Sequence, residues 1–356
     1  MDSDAKPTIT DNKIRHGSIG IHIIEVGSVQ PEIQNNRIAA NSQYGMLNDT
    51  PTGTVVDAEF NYWGHDSGPF HPSTNINGQG NEVSDYVNYD PWINETTLSV
   101  TEITSDINRD TTWKDGVFWI KNDIQLNGSY TLTIEPGVIV KFAPGTRLRA
   151  DGVLHAEGTE NSRIVFTSEK DDSYGGDTNQ DGMASTPSKG DWNRIDIRNA
   201  SSVLEYVTVK YGASTNRGAL HVRTNGSLSI SHLFLTQGAR NGIRIDNGSS
   251  FQADSIHISE HDHAIRNREN SLSVTVTNSV LEDNNYSGIN SYGPIRKVAN
   301  TTIRDNGGSG IHNTNVSGPQ IFENNMIKNN GGHGLVARNS DTTIVIRNNV
   351  FEGNNH

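Results

Sequence analysis

A chain of 356 residues that is only 32% hydrophobic, with 35 glycines and no cysteine, lacks the apolar content of a compact globule of that length and excludes disulfide or thiol chemistry. The formal net charge of −13, with no run of clustered Lys and Arg, argues against a nucleic-acid partner, because phosphates are bound by such clusters. No stretch approaches the roughly 20 apolar residues of a membrane span, and the opening MDSDAKP has neither the basic nor the apolar segment of a secretory leader.

The first 60 residues read as short strands around Ile21, Ile33 and Ile38, with a last one at Val55 and Val56. Residues 61–94 change character, concentrating Tyr62, Trp63, Phe70, Tyr86, Tyr89 and Trp92. Such rings suit a plug that covers the end of a stack of strands and blocks edge-to-edge pairing. They could also offer a platform for sugars, which makes Tyr62, Trp63 and Trp92 candidate carbohydrate contacts.

From residue 95 onward the pattern becomes repetitive. Ile195 and Ile197, Val274 and Val276, and Ile344 and Ile346 alternate with polar residues, the period of a half-buried strand. The segments LSISHLFLTQGARNGI, VTVTNSVLEDNNYSGI, VANTTIRDNGGSGI and QIFENNMIKNNGGHGL superimpose, as does the earlier EIQNNRIAANSQYGM. Their turn-ending residues Gly242, Ala264, Gly288, Gly310 and Gly334 lie 22, 24, 22 and 24 positions apart. A leucine-rich repeat has a similar period but needs a Leu ladder, whereas these positions are mostly Ile and Val. A coil of about 22–24 residues with two or three short strands predicts an all-β, right-handed parallel β-helix, each strand pairing with its equivalent one coil above. Asn35–Asn36, Asn324–Asn325 and Asn348–Asn349 recur at matching turns, which suits both left-handed backbone and stacked amide ladders.

Two stretches carry a family resemblance. IEPGVIVKF at 134–142, followed by LRADGVLHAEGTENSRIVFTS at 148–168 and GDW at 190–192, resembles the opening coils of right-handed parallel β-helix repeat proteins, the pectate-lyase-like superfold of large exported bacterial and archaeal surface proteins. NYWGHDSGP at 61–69 with VSDYVNYDPW at 83–92 is similar to the segment that closes one such helix before another begins. Three regions are therefore expected: last coils of a first β-helix at 1–60, an aromatic-rich closing connector at 61–94, and a second β-helix at 95–356 with an Asp/Asn/Gly-rich insertion at about 169–191. Coils left open at both ends imply neighbouring modules of the same longer polypeptide, an export signal outside this chain, and an extracellular or cell-surface setting.

The sharpest local motif is DTNQDG, from Asp177 to Gly182. Oxygen ligands at alternate positions followed by Gly are what a calcium ion requires, with Asp177, Asn179 and Asp181 as side-chain ligands and Asp171, Asp172 or Asp191 completing the set. Ser188 stands where an EF-hand would place its bidentate Glu. His257, His261 and His263 are close in sequence, but their position in a turn of the repeat favours solvated side chains over a metal site. Asp246, Asp254, Asp262, Glu282, Asp283 and Asp305, with Lys210, Arg244, Arg266 and Arg304, offer acid, base and clamp chemistry without forming a motif. The expected function is a non-enzymatic, calcium-stiffened spacer or adhesin-type surface for a polysaccharide or cell-surface protein. The alternatives are a polysaccharide lyase or glycoside hydrolase on the same scaffold, and a self-stacking wall or filament component.

Overall fold

The computed structural model describes residues 7–10, 12–24, 31–50, 53–93, 99–181, 184–248, 250–269, 272–314, 318–338 and 343–355. It divides into two compact units, Met1–Thr97 and Leu98–His356. The described residues contain no helix, and the strand ladders of both units are parallel.

In the second unit three sheets run side by side along the stack. Sheet 1 has 11 strands, from Val100–Ile103 to Val350–Glu352; sheet 2 has nine, from Ile124–Leu126 to Leu335–Ala337; sheet 3 has ten, from Thr111–Trp113 to Ile344–Arg347. The chain visits sheets 1, 2 and 3 in turn and then returns to sheet 1 one coil further on, as in Val280–Glu282, Ile289–Ser291, Ile295–Ala299 and Thr302–Arg304. Alternation decides which side chains fill the interior: Phe251 and Ala253 are buried while Gln252 between them is exposed. In-register pairing then stacks like on like. Leu235, Ile258, Leu281, Ile303 and Ile327 form one column of sheet 1, fully buried throughout. Each such side chain contributes about 1.5–3 kcal/mol by leaving water, so a thin core suffices if it is continuous.

The periodic glycines Gly288, Gly310 and Gly334 end their turns as expected, each directly before a sheet 2 strand, and they also have a packing role. Gly310 lies just before the sheet 2 strand Ile311–Asn313, with no left-handed backbone. A Cβ there would stand 2.6 Å from Cγ2 of Ile327, so the missing side chain leaves room for the core isoleucine. The asparagine pairs divide two tasks. Asn35, Asn324 and Asn348 take φ of 57°, 55° and 56°, the left-handed corner that Asn tolerates. The following residues build ladders: Asn36 Nδ2 donates to Asn61 Oδ1 at 3.0 Å, and Asn325 Nδ2 to Asn349 Oδ1 at 2.9 Å. A longer ladder, Asn284–Asn306–Asn330–Asn354, joins successive coils by amide bonds of 2.9, 3.0 and 2.9 Å between sheets 1 and 2.

The first unit repeats the arrangement on a smaller scale. Thr8–Thr10 pairs with Glu32–Gln34, Lys13–Arg15 with Arg37–Ala39, and Ile19–Ile23 with Tyr44–Asn48 and then Glu82–Val83. Its core holds Ile21, Ile33, Ile38, Met46, Trp63, Val83 and Tyr89.

Candidate functional site

The coil register gathers charge on the outer face of sheet 2. Arg149, Asp196, His221, Arg244 and Arg266 are successive partners across five strands. Asp196 and His221 are completely buried there beneath arginine side chains and neighbouring turns. Asp196 accepts a two-pronged pair from Arg223, at 3.2 Å from Nε and 2.5 Å from Nη2, with Arg194 and Arg198 each at 3.6 Å. Asp246 accepts from Arg217 Nη1 at 2.8 Å, from Arg244 Nε at 2.8 Å and from His221 Nε2 at 2.9 Å. Nδ1 of His221 lies 3.6 Å from Asp196. Arg149 and Arg198 share Asp151, at 2.9 and 3.6 Å, and Arg147 pairs with Asp123 at 3.0 Å. Eight arginines, seven of them paired with aspartate, thus share this face with four aspartates, an excess of positive charge in a chain of net charge −13.

The protonation states follow from the surroundings. Burial would raise the Asp246 carboxyl, but hydrogen bonds from His221 and Arg244 outweigh it and hold that group well below the usual carboxylate range. Asp196 is likewise lowered, burial being overcome by the Arg223 hydrogen bond and by nearby His221 and arginines. Burial pushes the His221 imidazole down, against the pull of Asp246 and Asp196. A neutral His221 facing an ionised Asp246 must carry its proton on Nε2, since a carboxylate only accepts. Two buried anions therefore act as anchors that fix guanidinium groups, a use that suits the planar five-donor fork of Arg. The sequence showed no clustered cations. The clustering arises because residues about two dozen positions apart become neighbours.

Comparison with known proteins agrees with the coil geometry: the family model described as "Right handed beta helix region" matches residues 218–356. The chain is a right-handed parallel β-helix protein. The Drosophila melanogaster protein named "Protein bark beetle" is 49% identical to it over 49 residues, which are 14% of this chain and 2% of that relative, so the match spans a small part of the relative's length. Among solved structures, the "Azotobacter vinelandii Mannuronan C-5 epimerase AlgE4 A-module" is similar with a TM-score of 0.39 and 13% identity, covering 61% of this chain and 68% of that one. None of the helix-free, described residues forms an apolar helix long enough to cross a membrane.

The insertion of this β-helix lies over the outer face of sheet 1. Its Tyr174 packs on Val117, Ile139 and Val165, the outward-facing residues of three consecutive sheet 1 strands. Five of the six predicted calcium ligands make hydrogen bonds within the protein, whereas Asp172 Oδ1 is buried without a hydrogen-bond partner among the described residues, as is Asn179 Oδ1. Asp171 accepts from Thr167 Oγ1 at 2.6 Å and also from Ser173; Asp191 accepts from Ser168 at 2.9 Å, from Lys170 at 3.1 Å and from Ser188 at 2.8 Å. Asn179 Nδ2 donates to Asp181 at 2.8 Å, and the Asp181 amide donates to Asp177 at 3.1 Å. Gly182 lies outside the described residues. Among those that are described, no three His, Asp or Glu side chains gather as metal ligands. Beneath the loop sits Lys141, fully buried, donating from Nζ to the Gly176 carbonyl at 2.5 Å. Burial brings its ammonium down to about 8, while Asp172, Asp171, Asp177 and Glu169 pull it upward. Burial raises the Asp172 carboxyl to about 6, opposed by Lys141 and assisted by Asp177, Asp181 and Asp171.

The aromatic candidates separate. Trp63 is fully buried in the first unit's core, and Tyr62 is buried with the Arg37 guanidinium 4.4 Å from its ring centre, so neither offers a free face to a sugar. Trp92 is half-buried, donates to the Asp66 carbonyl at 3.0 Å and lines an open cleft of about 360 Å³ with Thr74, Asn75, Tyr89 and Asp90. Of the histidines expected to be solvated, His257 keeps 37% of its side chain exposed beside Glu282 at 2.9 Å, whereas His261 and His263 are buried. His261 is enclosed, bonded through Nδ1 to the Ser259 carbonyl at 2.7 Å, and His263 Nδ1 accepts from the Ser287 amide at 3.1 Å. Burial lowers both to about 4.

Proposed function

We propose that this β-helix is a binding scaffold without chemistry of its own, whose sheet 2 outer face takes a linear polyanion, an acidic polysaccharide above all. The supporting observation is a contrast in access. The side chains of Arg147, Arg149, Arg198, Arg217 and Arg223 are partly solvent-exposed, that of Arg217 to 43%. The groups suited to moving a proton, His221 and Asp196, have no exposed side-chain surface. A general base must come within hydrogen-bond reach of the proton it removes, and these two are sealed behind the arginines they orient.

Coils about 4.8 Å apart repeat the donors along the stack at a spacing comparable with the length of a sugar ring. Fixed arginines bind carboxylate or sulfate groups in the two-pronged mode with little further loss of freedom. The acidic remainder of the surface, within the net charge of −13, repels a broad polyanion such as duplex nucleic acid and leaves the strip to a slender chain. The reading goes with an extracellular or cell-surface setting.

Calorimetric titration with a polyuronate and with a sulfated polysaccharide should give saturable binding that weakens steeply as salt is raised. Arg149→Ala and Arg217→Ala should each weaken it about ten- to a hundredfold, since a hydrogen bond to a charged group is worth ~1.5–3 kcal/mol. Both substitutions leave the facing aspartate with other partners, so folding should survive. Appearance of unsaturated sugar or reducing ends during incubation would replace this reading with the lyase or hydrolase one. Tighter binding of single-stranded DNA than of any acidic glycan would move it to another class of partner.

A further inference from the structure

We infer that the Lys141 ammonium is the resident cation of the insertion, so that residues 169–191 are strapped to sheet 1 by an internal charge where their Asp/Asn pattern would otherwise invite a metal ion. The position of Lys141 is unusual for its row. It points outward from the strand Ile139–Phe142, between Trp119 and Thr167 on the adjacent coils, where a lysine would ordinarily extend into water. Here it is fully buried because the insertion folds down over it.

The backbone of the loop is shaped for that descent. Gly175 and Gly176 take φ of 68° and 74°. A Cβ on Gly175 would overlap Val117, so glycine is required to bring the chain this close to the sheet, and the next carbonyl is the one that accepts from Lys141 Nζ. The strap is secured on either side by side chains of the same sheet. Trp119 Nε1 donates to Glu169 at 2.8 Å, and Thr167 Oγ1 donates to Asp171 at 2.6 Å.

A buried ammonium is tolerated only when carboxylates and carbonyl oxygens replace its water. Glu169, Asp171, Asp172 and Asp177 supply the charge and Gly176 the carbonyl. Conversely, these acids would repel one another without a cation among them. Lysine and loop each supply what the other lacks. This inference concerns sheet 1 and is independent of the ligand face on sheet 2.

The test uses the full chain in three forms: wild type, Lys141→Met, and Asp172→Asn. In wild type, calcium titrated into chelator-treated protein should give no heat, and the melting temperature should be the same in calcium and in chelator. In Lys141→Met, amide exchange and proteolysis should accelerate at least tenfold within 169–191 while the sheet 2 and sheet 3 rungs keep their protection. Asp172→Asn leaves Lys141 in place and should loosen the same segment less, which guards against a Met variant that fails to fold. Stoichiometric calcium binding by wild type that protects 169–191 would overturn the inference, as would wild-type protection of that segment in Lys141→Met.

Discussion

Asn306→Ala is expected to cost about 3–5 kcal/mol, the sum over two or three buried polar groups left without partners at about 1–3 kcal/mol each. Asn306 is 1% exposed. Its Oδ1 accepts from the amide of Asn284 at 3.1 Å and from Asn284 Nδ2 at 2.9 Å, while its own Nδ2 donates to Leu281 O and to Asn330 Oδ1, both at 3.0 Å. Alanine removes all of these and offers nothing in return. A stack of coils in which each touches chiefly its neighbours loses cooperativity locally. The effect should therefore appear first as faster amide exchange at Asn284 and Asn330, with the denaturation midpoint lowered as well. A cost below about 1 kcal/mol, the net worth of an ordinary hydrogen bond, would mean that the ladder is ornamental.

Asp196→Ala should be of similar size, about 3–5 kcal/mol, the usual consequence of removing one partner from a buried ion pair. Among the described residues, the substitution leaves Arg223 without its two-pronged acceptor, leaves Arg194 with only Asn193 and Thr215 and Arg198 with only Asp151, and takes the second carboxylate from beside His221. It should also abolish measurable polyanion binding, because the arginines lose their orientation even though the net positive charge of the face rises by one. Those two outcomes together separate a positioning carboxylate from a merely repulsive one. If deleting this anion tightened polyanion binding, general attraction would govern the face and the fixed geometry would be irrelevant.

Much of the architecture was legible because it depends on repetition. The alternation around Val274 and Val276 marks a strand whose valines are both buried, and the spacing of Ile303 and Ile327 places them on adjacent rungs, where they pair. The doubled asparagines announced both a left-handed corner and a ladder, and each residue of the pair performs one of these tasks. The arginine-rich face of sheet 2 was harder to see. Asp246 and Arg244 stood out as charged residues, yet Asp196 and His221, 25 and 23 positions from their in-register partners His221 and Arg244, repeat no residue type and leave no periodic trace. Only aligning RIDIR, ALHVR and GIRID as equivalent strands brings them into one row. The surroundings of the insertion were hidden for a different reason: a loop motif names its own oxygens but cannot show that Lys141, in a strand far upstream, ends beneath it. Trp63 likewise gave no sign in composition that it points into the core, nor Tyr62 that Arg37 covers its ring.

The account rests on residues roughly two dozen positions apart being direct neighbours, and engineered cysteines in this cysteine-free chain test that most directly. Ser229 and Gln252 are exposed partners on adjacent sheet 3 strands, and Thr275 is the next residue in the same row. Parallel strands about 4.8 Å apart fall within the Cα separation of a disulfide, about 4.4–6.8 Å, whereas two coils do not. Under mild oxidation Ser229→Cys/Gln252→Cys should cross-link nearly completely within the monomer, and Ser229→Cys/Thr275→Cys should stay reduced. Equal cross-linking of both pairs, or of neither, would contradict the stacked-coil register from which every site described above is built.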